Sequence, residues 1–336
     1  MKKATLLLII ILWSVFSFAQ DIHYSQFYAS PLTLNPALTG VNECNYRANA
    51  MYRNQWHSVT DNPYQTPSIS FDINNVLQRV IKKGTFSLGG LLLDDKAGDG
   101  NLQNLSIMAS MAYQRPLNAS RKLNASLGLQ VGYVQKSLDW KNLTWETQFD
   151  GQSFNQNINS GESLKDKVSY IDLNAGLYLS FSPSKNFDLF LGGAAFHIIP
   201  PKEKFLNNGP DNKLGMRIVA HGGFRIGVTE NVDIIPQVLF MTQTKAREVN
   251  VGASVAYKLN TDVKLFAGGY YRLQDAVVAM IGIDYKHIRL GLSYDINTSS
   301  LSSASGGKGG FEVSLTYTGC LGGFILDKPI FFCPRY

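Results

Sequence analysis

Five histidines, three cysteines and a scatter of acidic residues are the side chains that could carry chemistry in this chain of 336 residues. His23, His57, His197, His221 and His287 lie far apart, and none stands in a His-x-x-x-His or Cys-x-x-Cys arrangement. Metal chemistry therefore has no support from spacing, and no metal or other cofactor is expected. Asp94 to Asn101 reads Asp-Asp-Lys-Ala-Gly-Asp-Gly-Asn, a faint echo of a calcium loop. Ala97 stands at a ligand position and no Glu follows at the twelfth, so a hydrated hairpin tip is expected instead. There is no Gly-x-Ser-x-Gly elbow and no phosphate loop. A hydrolase built from a Ser and a His on a barrel's outer face stays open on sequence alone, but the chain is read as non-enzymatic.

What must position any site is a repeated unit of alternating residues and a turn. Val249, Val251, Ala253, Val255 and Tyr257 alternate with Asn250, Gly252, Ser254, Ala256 and Lys258. Ile171, Leu173, Ala175, Leu177 and Leu179 alternate with Asp172, Asn174, Gly176, Tyr178 and Ser180. A period of two places the apolar set on one strand face and the polar set on the other. About ten residues per strand exceeds the usual five or six and matches a tilted strand crossing a bilayer. The spacing predicts fourteen strands, over 45–56, 65–75, 85–94, 102–114, 122–136, 168–181, 186–196, 214–227, 231–241, 247–258, 262–272, 276–286, 287–295 and 309–318. The fold class is therefore all-β: a single antiparallel transmembrane β-barrel of the outer membrane, surrounded by its lipid. Aromatics near strand ends, Trp56, Tyr113, Tyr133, Tyr170, Phe187, Tyr257, Tyr271, Tyr285 and Tyr317, suit interfacial girdles. Pro236 cannot donate to a ladder and marks either a bulge or a misplaced strand end.

The connections agree with a barrel. An even strand number puts both termini on the periplasmic side, so every second connection is a periplasmic turn. Those connections are short, whereas the alternate set includes the three longest, 137–167, 198–213 and 297–309. Trp140, Trp145, Phe149 and Phe154 in the longest are candidate anchors for a partner, since aromatics are enriched in binding hot spots. Packing of these rings onto the barrel rim is the equal alternative.

Lys2, Lys3 and the apolar run Leu6 to Phe16, ending in Ser17-Phe18-Ala19, read as a signal peptide over 1–19 that leaves Gln20 as the mature end. Losing Lys2 and Lys3 lowers the formal charge from +6 to +4. That charge is scattered, so no nucleic-acid partner is expected. The domain reading is a periplasmic segment over 20–44, a barrel over 45–318 and a periplasmic tail over 319–336. Barrel closure brings Cys44 and Cys320 to the same rim, and one disulfide is plausible in that compartment. With Cys333, three pairings are open. The tail could plug the barrel, dock on its rim or meet a partner. Asp72, Arg217, Arg225, Arg272, Asp284, Arg289, Asp295 and Glu312 fall at inward positions, and their mixed signs suggest ion pairs bracing the interior rather than a charge filter.

Three motifs in order point further. They are Tyr24-Ser25-Gln26-Phe27-Tyr28, Asn35-Pro36-Ala37-Leu38-Thr39-Gly40 and Tyr52-Arg53-Asn54-Gln55-Trp56. Together with the strand layout and the Cys-Pro-Arg-Tyr end, this pattern resembles the PorP/SprF family of Bacteroidetes outer-membrane proteins. Asn-Pro-Ala alone is less specific, since fatty-acid-transporter-like barrels have similar segments. The resemblance implies a component of the type IX secretion and gliding machinery. It implies as partners a secreted adhesin's C-terminal domain, and the periplasmic ring lipoprotein with its companion. Tyr24, Ser25, Gln26, Asn35, Pro36, Ala37, Gly40, Tyr52, Arg53, Asn54, Gln55 and Trp56 would be structural or partner-binding. A passive or substrate-specific pore is the alternative function.

Overall fold

The structure is a computed structural model that describes residues 21–77, 84–140, 143–155, 157–161, 163–205, 212–300 and 302–320. The signal-peptide reading, Gln20, Cys333 and the tail beyond Cys320 lie outside these residues.

Fourteen antiparallel strands, among the described residues, form one closed barrel in which each strand pairs with its sequence neighbours. They are β1 (Tyr46–Gln55), β2 (Tyr64–Ile73), β3 (Thr85–Ala97), β4 (Leu102–Pro116), β5 (Leu123–Ser137), β6 (Lys167–Ser184), β7 (Phe187–Phe196), β8 (Arg217–Gly227), β9 (Val232–Gln243), β10 (Ala246–Lys258), β11 (Val263–Arg272), β12 (Ala276–Tyr285), β13 (Ile288–Asn297) and β14 (Lys308–Gly319). Closure comes from β1 against β14, in register from Tyr46 opposite Gly319 to Gln55 opposite Gly310. That seam removes the unpaired edge a flat sheet would leave.

The alternation in sequence becomes an inside and an outside. Along β6, Ile171, Leu177 and Leu179 are exposed, whereas Asp172, Asn174, Tyr178 and Ser180 are buried. Large apolar residues exposed all round the barrel form a belt suited to lipid. Among the described residues no helix is long and apolar enough to cross a membrane, so crossing falls to the strands. Residues 94–101 end β3 and form the tip of the β3–β4 hairpin over 98–101, and below that tip Asp94 accepts a hydrogen bond from Gln103 at 2.6 Å.

Three sequence expectations change. Tyr170 does not join a girdle: it shares the inward parity of Asp172, and its hydroxyl donates to Glu203 at 3.0 Å. Pro236 is neither a bulge nor a strand end, because β9 runs through it with Pro236 opposite Ala253 of β10. On the β8 side the paired positions resume in the same register, from Gly223–Gln237 to Ile226–Ile234, so the missing donor costs only a local gap.

The third change is the largest. Residues 21–44 are not a periplasmic segment below the barrel; they run through its lumen. Cys44 bonds to Cys320 and so sits at the end that carries the short turns. Asp21 sits at the opposite end, against His197, where the long 197–216 connection leaves β7, and against Gln243 at the end of β9. The described ends of the chain, Asp21 and Cys320, therefore lie at opposite ends of the barrel. Strand parity fixes which way each strand runs, but it does not reveal that a Pro-broken segment turns back inside.

The plugged lumen as candidate functional site

From Asp21 to Cys44 the plug is three short helical turns, Phe27–Ala29, Pro31–Leu34 and Pro36–Leu38, joined by tight bends. Pro31 and Pro36 start their turns, where a missing N–H costs nothing. Polar wall residues satisfy the backbone groups that such a broken segment leaves unpaired.

Near the long loops the wall grips Tyr24-Ser25-Gln26 through a buried charge cluster. The Glu312 carboxylate of β14 accepts the backbone N–H of Ser25 at 2.7 Å and of Gln26 at 2.8 Å. Arg53 pairs with Glu312 at 3.1 Å, and Arg272 pairs with Asp295 at 2.5 Å. Ser25 Oγ donates to Asp295 at 2.7 Å, and Arg272 Nη2 donates to Ser25 Oγ at 2.7 Å. Gln26 Nε2 donates to Ser293 at 3.1 Å, while Gln26 Oε1 accepts from Ser314 at 2.8 Å. The Tyr24 hydroxyl donates to Ser68 at 2.8 Å. Two of the sequence motifs thus meet in space: Arg53 of the third neutralises the carboxylate that holds the first. Tyr52, Asn54 and Trp56 do not enter the lumen cluster. Tyr52 faces outward against Phe311, with ring centroids 6.0 Å apart. Asn54 shares that outward parity, and Trp56 stacks edge-on against Tyr64 at 5.2 Å. Gln55 accepts from Arg53 at 3.0 Å.

At mid-barrel Asn35-Pro36-Ala37 lies flush against β5 and β6. Asn35 Oδ1 accepts Ala37 N–H at 2.8 Å, and Asn35 Nδ2 donates to the Leu177 carbonyl at 2.9 Å. His221 Nε2 stands 3.1 Å from the same nitrogen. The fit depends on two inward glycines. A Cβ on Gly128 would stand 2.3 Å from Ala37 N, and one on Gly176 would stand 1.9 Å from Asn35 Oδ1. Lower down, Gln114 donates to the Thr39 carbonyl at 2.7 Å, and Gly40 N–H donates to Asp72 at 2.6 Å. Arg47 pairs with Asp72 at 2.9 Å and reaches the Leu38 carbonyl at 3.0 Å. Gly40 adopts φ 70°, a left-handed bend that glycine takes without strain.

The opposite side of the plug is apolar. Phe27, Leu34, Ala37, Leu38 and Val41 bury against inward residues of β6 to β12, including Tyr178, Phe190, Ile235, Leu239 and Tyr270. Polar bonds on one side and apolar packing on the other fill the middle of the lumen.

A latch closes the long-loop end. His197 lies between two carboxylates, 2.6 Å from Asp21 and 2.8 Å from Asp172. Burial disfavours its charge, but the hydrogen bonds it donates to Asp172 and Asp21 outweigh that and raise its pKa to about 9. Burial also opposes the Asp21 charge, yet His197 and Arg217 hold that carboxyl down at about 2. The remaining inward charges pair as expected: Arg225 with Asp188 and Asp233, and Arg289 with Asp284.

The four loop aromatics divide. Trp140 and Trp145 are half-buried, and Trp140 Nε1 donates to Asp166 at 2.7 Å. Phe149 and Phe154 are exposed, at 48% and 56%, and face each other across a β-bridge with ring centroids 5.2 Å apart. Cys44 pairs with Cys320, with Cα atoms 4.6 Å apart, which ties the start of β1 to the end of β14.

Sequence reasoning did not single out Asp21, Arg47, Gly128 or Gly176 as site residues. The glycines did carry a signal, since both fall at inward parity where a barrel wall normally places a side chain.

The fold is similar to that of several solved structures. The Pseudomonas putida toluene transporter TodX is 12% identical, with 88% of this chain and 93% of that one covered at a TM-score of 0.49. The Ralstonia pickettii toluene transporter TbuX is 11% identical, with 84% and 91% covered at a TM-score of 0.46. A Pseudomonas aeruginosa FadL homologue is 9% identical, with 88% and 94% covered at a TM-score of 0.48. No curated protein sequence matches. The family model for the type IX secretion system membrane protein PorP/SprF matches residues 16–317, nearly the whole barrel and its plug, and this outer-membrane β-barrel belongs to that family.

Proposed function

We propose that this barrel is a closed, non-enzymatic anchor of the type IX machinery that holds a secreted adhesin's C-terminal domain on its long-loop face. In this reading the long loops face the cell exterior. The short turns face the periplasmic ring lipoprotein and its companion, and outer-membrane lipid surrounds the apolar belt. The observation that carries the reading is the exposed Phe149–Phe154 pair on the longest loop, together with a lumen blocked at its middle by the chain's own N-terminal segment. A pore needs a free lumen; a dock needs an apolar contact outside it. Exposed aromatics are the kind of residue that anchors an interface, and truncating one buried anchor costs about 2 kcal/mol or more.

The test shortens the 138–166 connection to a tight turn, and in parallel changes Phe149→Ser with Phe154→Ser. Both variants should remain abundant, heat-modifiable barrels, and adhesin should move from the cell surface to the medium. Normal surface retention at normal barrel level would remove this loop from the binding site.

A further inference from the structure

Below the plug the lumen is not filled. The plug descends along β1 to β5, where Gln114 and Asp72 hold Thr39 and Gly40, and leaves the short-turn ends of β6 to β12 uncovered. There a cavity of about 900 Å³ opens to that end of the barrel. Exposed Glu43, where the plug ends, lines it, and the plug with its apolar cluster fills the lumen above, so it is a blind socket rather than a passage.

The charge around the socket is uneven. By sequence, the six short-turn connections hold seven Lys or Arg and two Asp or Glu, a formal +5. The seven connections at the other end hold six and ten, a formal −4. Within the socket, Asp188 and Asp233 are taken up by Arg225 at 2.5 and 2.9 Å. Lys264 adds a second cation to Asp233 at 3.4 Å, and Arg289 takes Asp284 at 2.5 Å. Lys122 and Lys185 from two turns and Lys258 from the end of β10 line the same cavity with exposed side chains, and Lys286 stands at its edge with its ammonium 5.4 Å from the ring of outward-facing Tyr285. Lys122 donates to the Pro183 carbonyl at 2.7 Å, which leaves its charge uncancelled. Glu230 and Asp262 are the acids that stand on the turns themselves.

We propose that this socket receives an acidic segment of a protein partner at the short-turn end of the barrel. Lys122, Lys185 and Lys258 line a cavity inside the wall, and a bilayer's headgroups surround the wall's outside, so a chain that can enter fits the geometry and a membrane surface does not. Opposed potentials would steer the encounter and make it fall with ionic strength. The periplasmic location of the partner rests on the orientation proposed above; the binding itself does not.

The experiment uses the full chain in lipid nanodiscs and a fluorescent deca-glutamate peptide, read by anisotropy at low and raised salt. Saturable binding is expected that weakens at least tenfold in Lys185→Glu/Lys258→Glu/Lys286→Glu. It should be unchanged when Lys165→Glu and Lys245→Glu reverse charges at the other end. Heat-modifiability of each variant reports its folding. Absence of saturable binding to the native chain, or equal loss in both reversed variants, overturns the socket. So does lysine-dependent binding of phosphatidylglycerol vesicles without binding of the peptide. Saturable peptide binding combined with labelling of Lys286→Cys from the cell exterior would uphold the socket and overturn the proposed orientation instead.

Discussion

The side-chain oxygen of Asn35 occupies the place a side chain on Gly176 would take: a Cβ there would stand 1.9 Å away. The plug and the wall are therefore fitted to each other at one backbone's thickness. Gly176→Ala should push the Asn35 amide off the Leu177 carbonyl and disturb the Ala37 turn. Overpacking of this kind costs about 1–3 kcal/mol. Thermal unfolding of the detergent-resistant band should shift downward, and Gly193→Ala, whose Cβ would meet nothing nearer than 3.8 Å, should not shift it. Equal behaviour of the two variants would remove the fit.

Arg53 and Glu312 are both nearly inaccessible, at 4% and 1%. Removing one partner of a buried pair leaves the other charge uncompensated and costs about 3–5 kcal/mol. Arg53→Met should therefore lose more stability than Arg53→Met with Glu312→Gln. Additive losses in the double variant would mean that the two residues act separately.

The latch at Asp21 and His197 gives the plug a pH window. His197 is raised from 6.5 to about 9, so its contribution is complete below about 6.5 and disappears as pH rises through about 9. Asp21 is lowered from 3.8 to about 2, so its contribution is in place above about 3.8 and disappears as pH falls through about 2. Hydrogen exchange over residues 21–26, corrected for the intrinsic rate, should be slowest between those limits and rise beyond pH 9. His197→Gln should remove the alkaline step; its persistence would assign the step elsewhere.

The seam disulfide spans a sequence separation of 276 residues. Non-reducing peptide mapping should recover Cys44 joined to Cys320. Reduction should lower the heat-modification temperature by the equivalent of about 2–4 kcal/mol. A different pairing would contradict the closure geometry.

Much of the barrel was legible because lipid outside and polar lumen inside impose a period of two. Each predicted strand has its counterpart, and the ends of β3 and β6 run further than the alternation suggested because polar residues continue the ladder past the apolar belt. Tyr170 lies close to a strand end but at inward parity, and closeness to an end does not by itself place a ring in the girdle. The cysteine pairing needed closure in three dimensions. Least legible was the plug. Ser25, Gln26, Asn35 and Gly40 are ordinary loop residues in sequence, and only the wall shows why they are buried. Their partners Glu312, Asp295, Gly128 and Gly176 lie far along the chain, and no local pattern links them.

Whether the native barrel is closed is best read from its conductance in a planar bilayer. The full chain should show no steady current, because Phe27, Leu34 and Leu38 pack across the lumen and the latch ties Asp21 at its far end. A variant lacking residues 21–41 should conduct if it inserts. A steady, reproducible open pore from the native chain would contradict the plugged anchor and favour a channel.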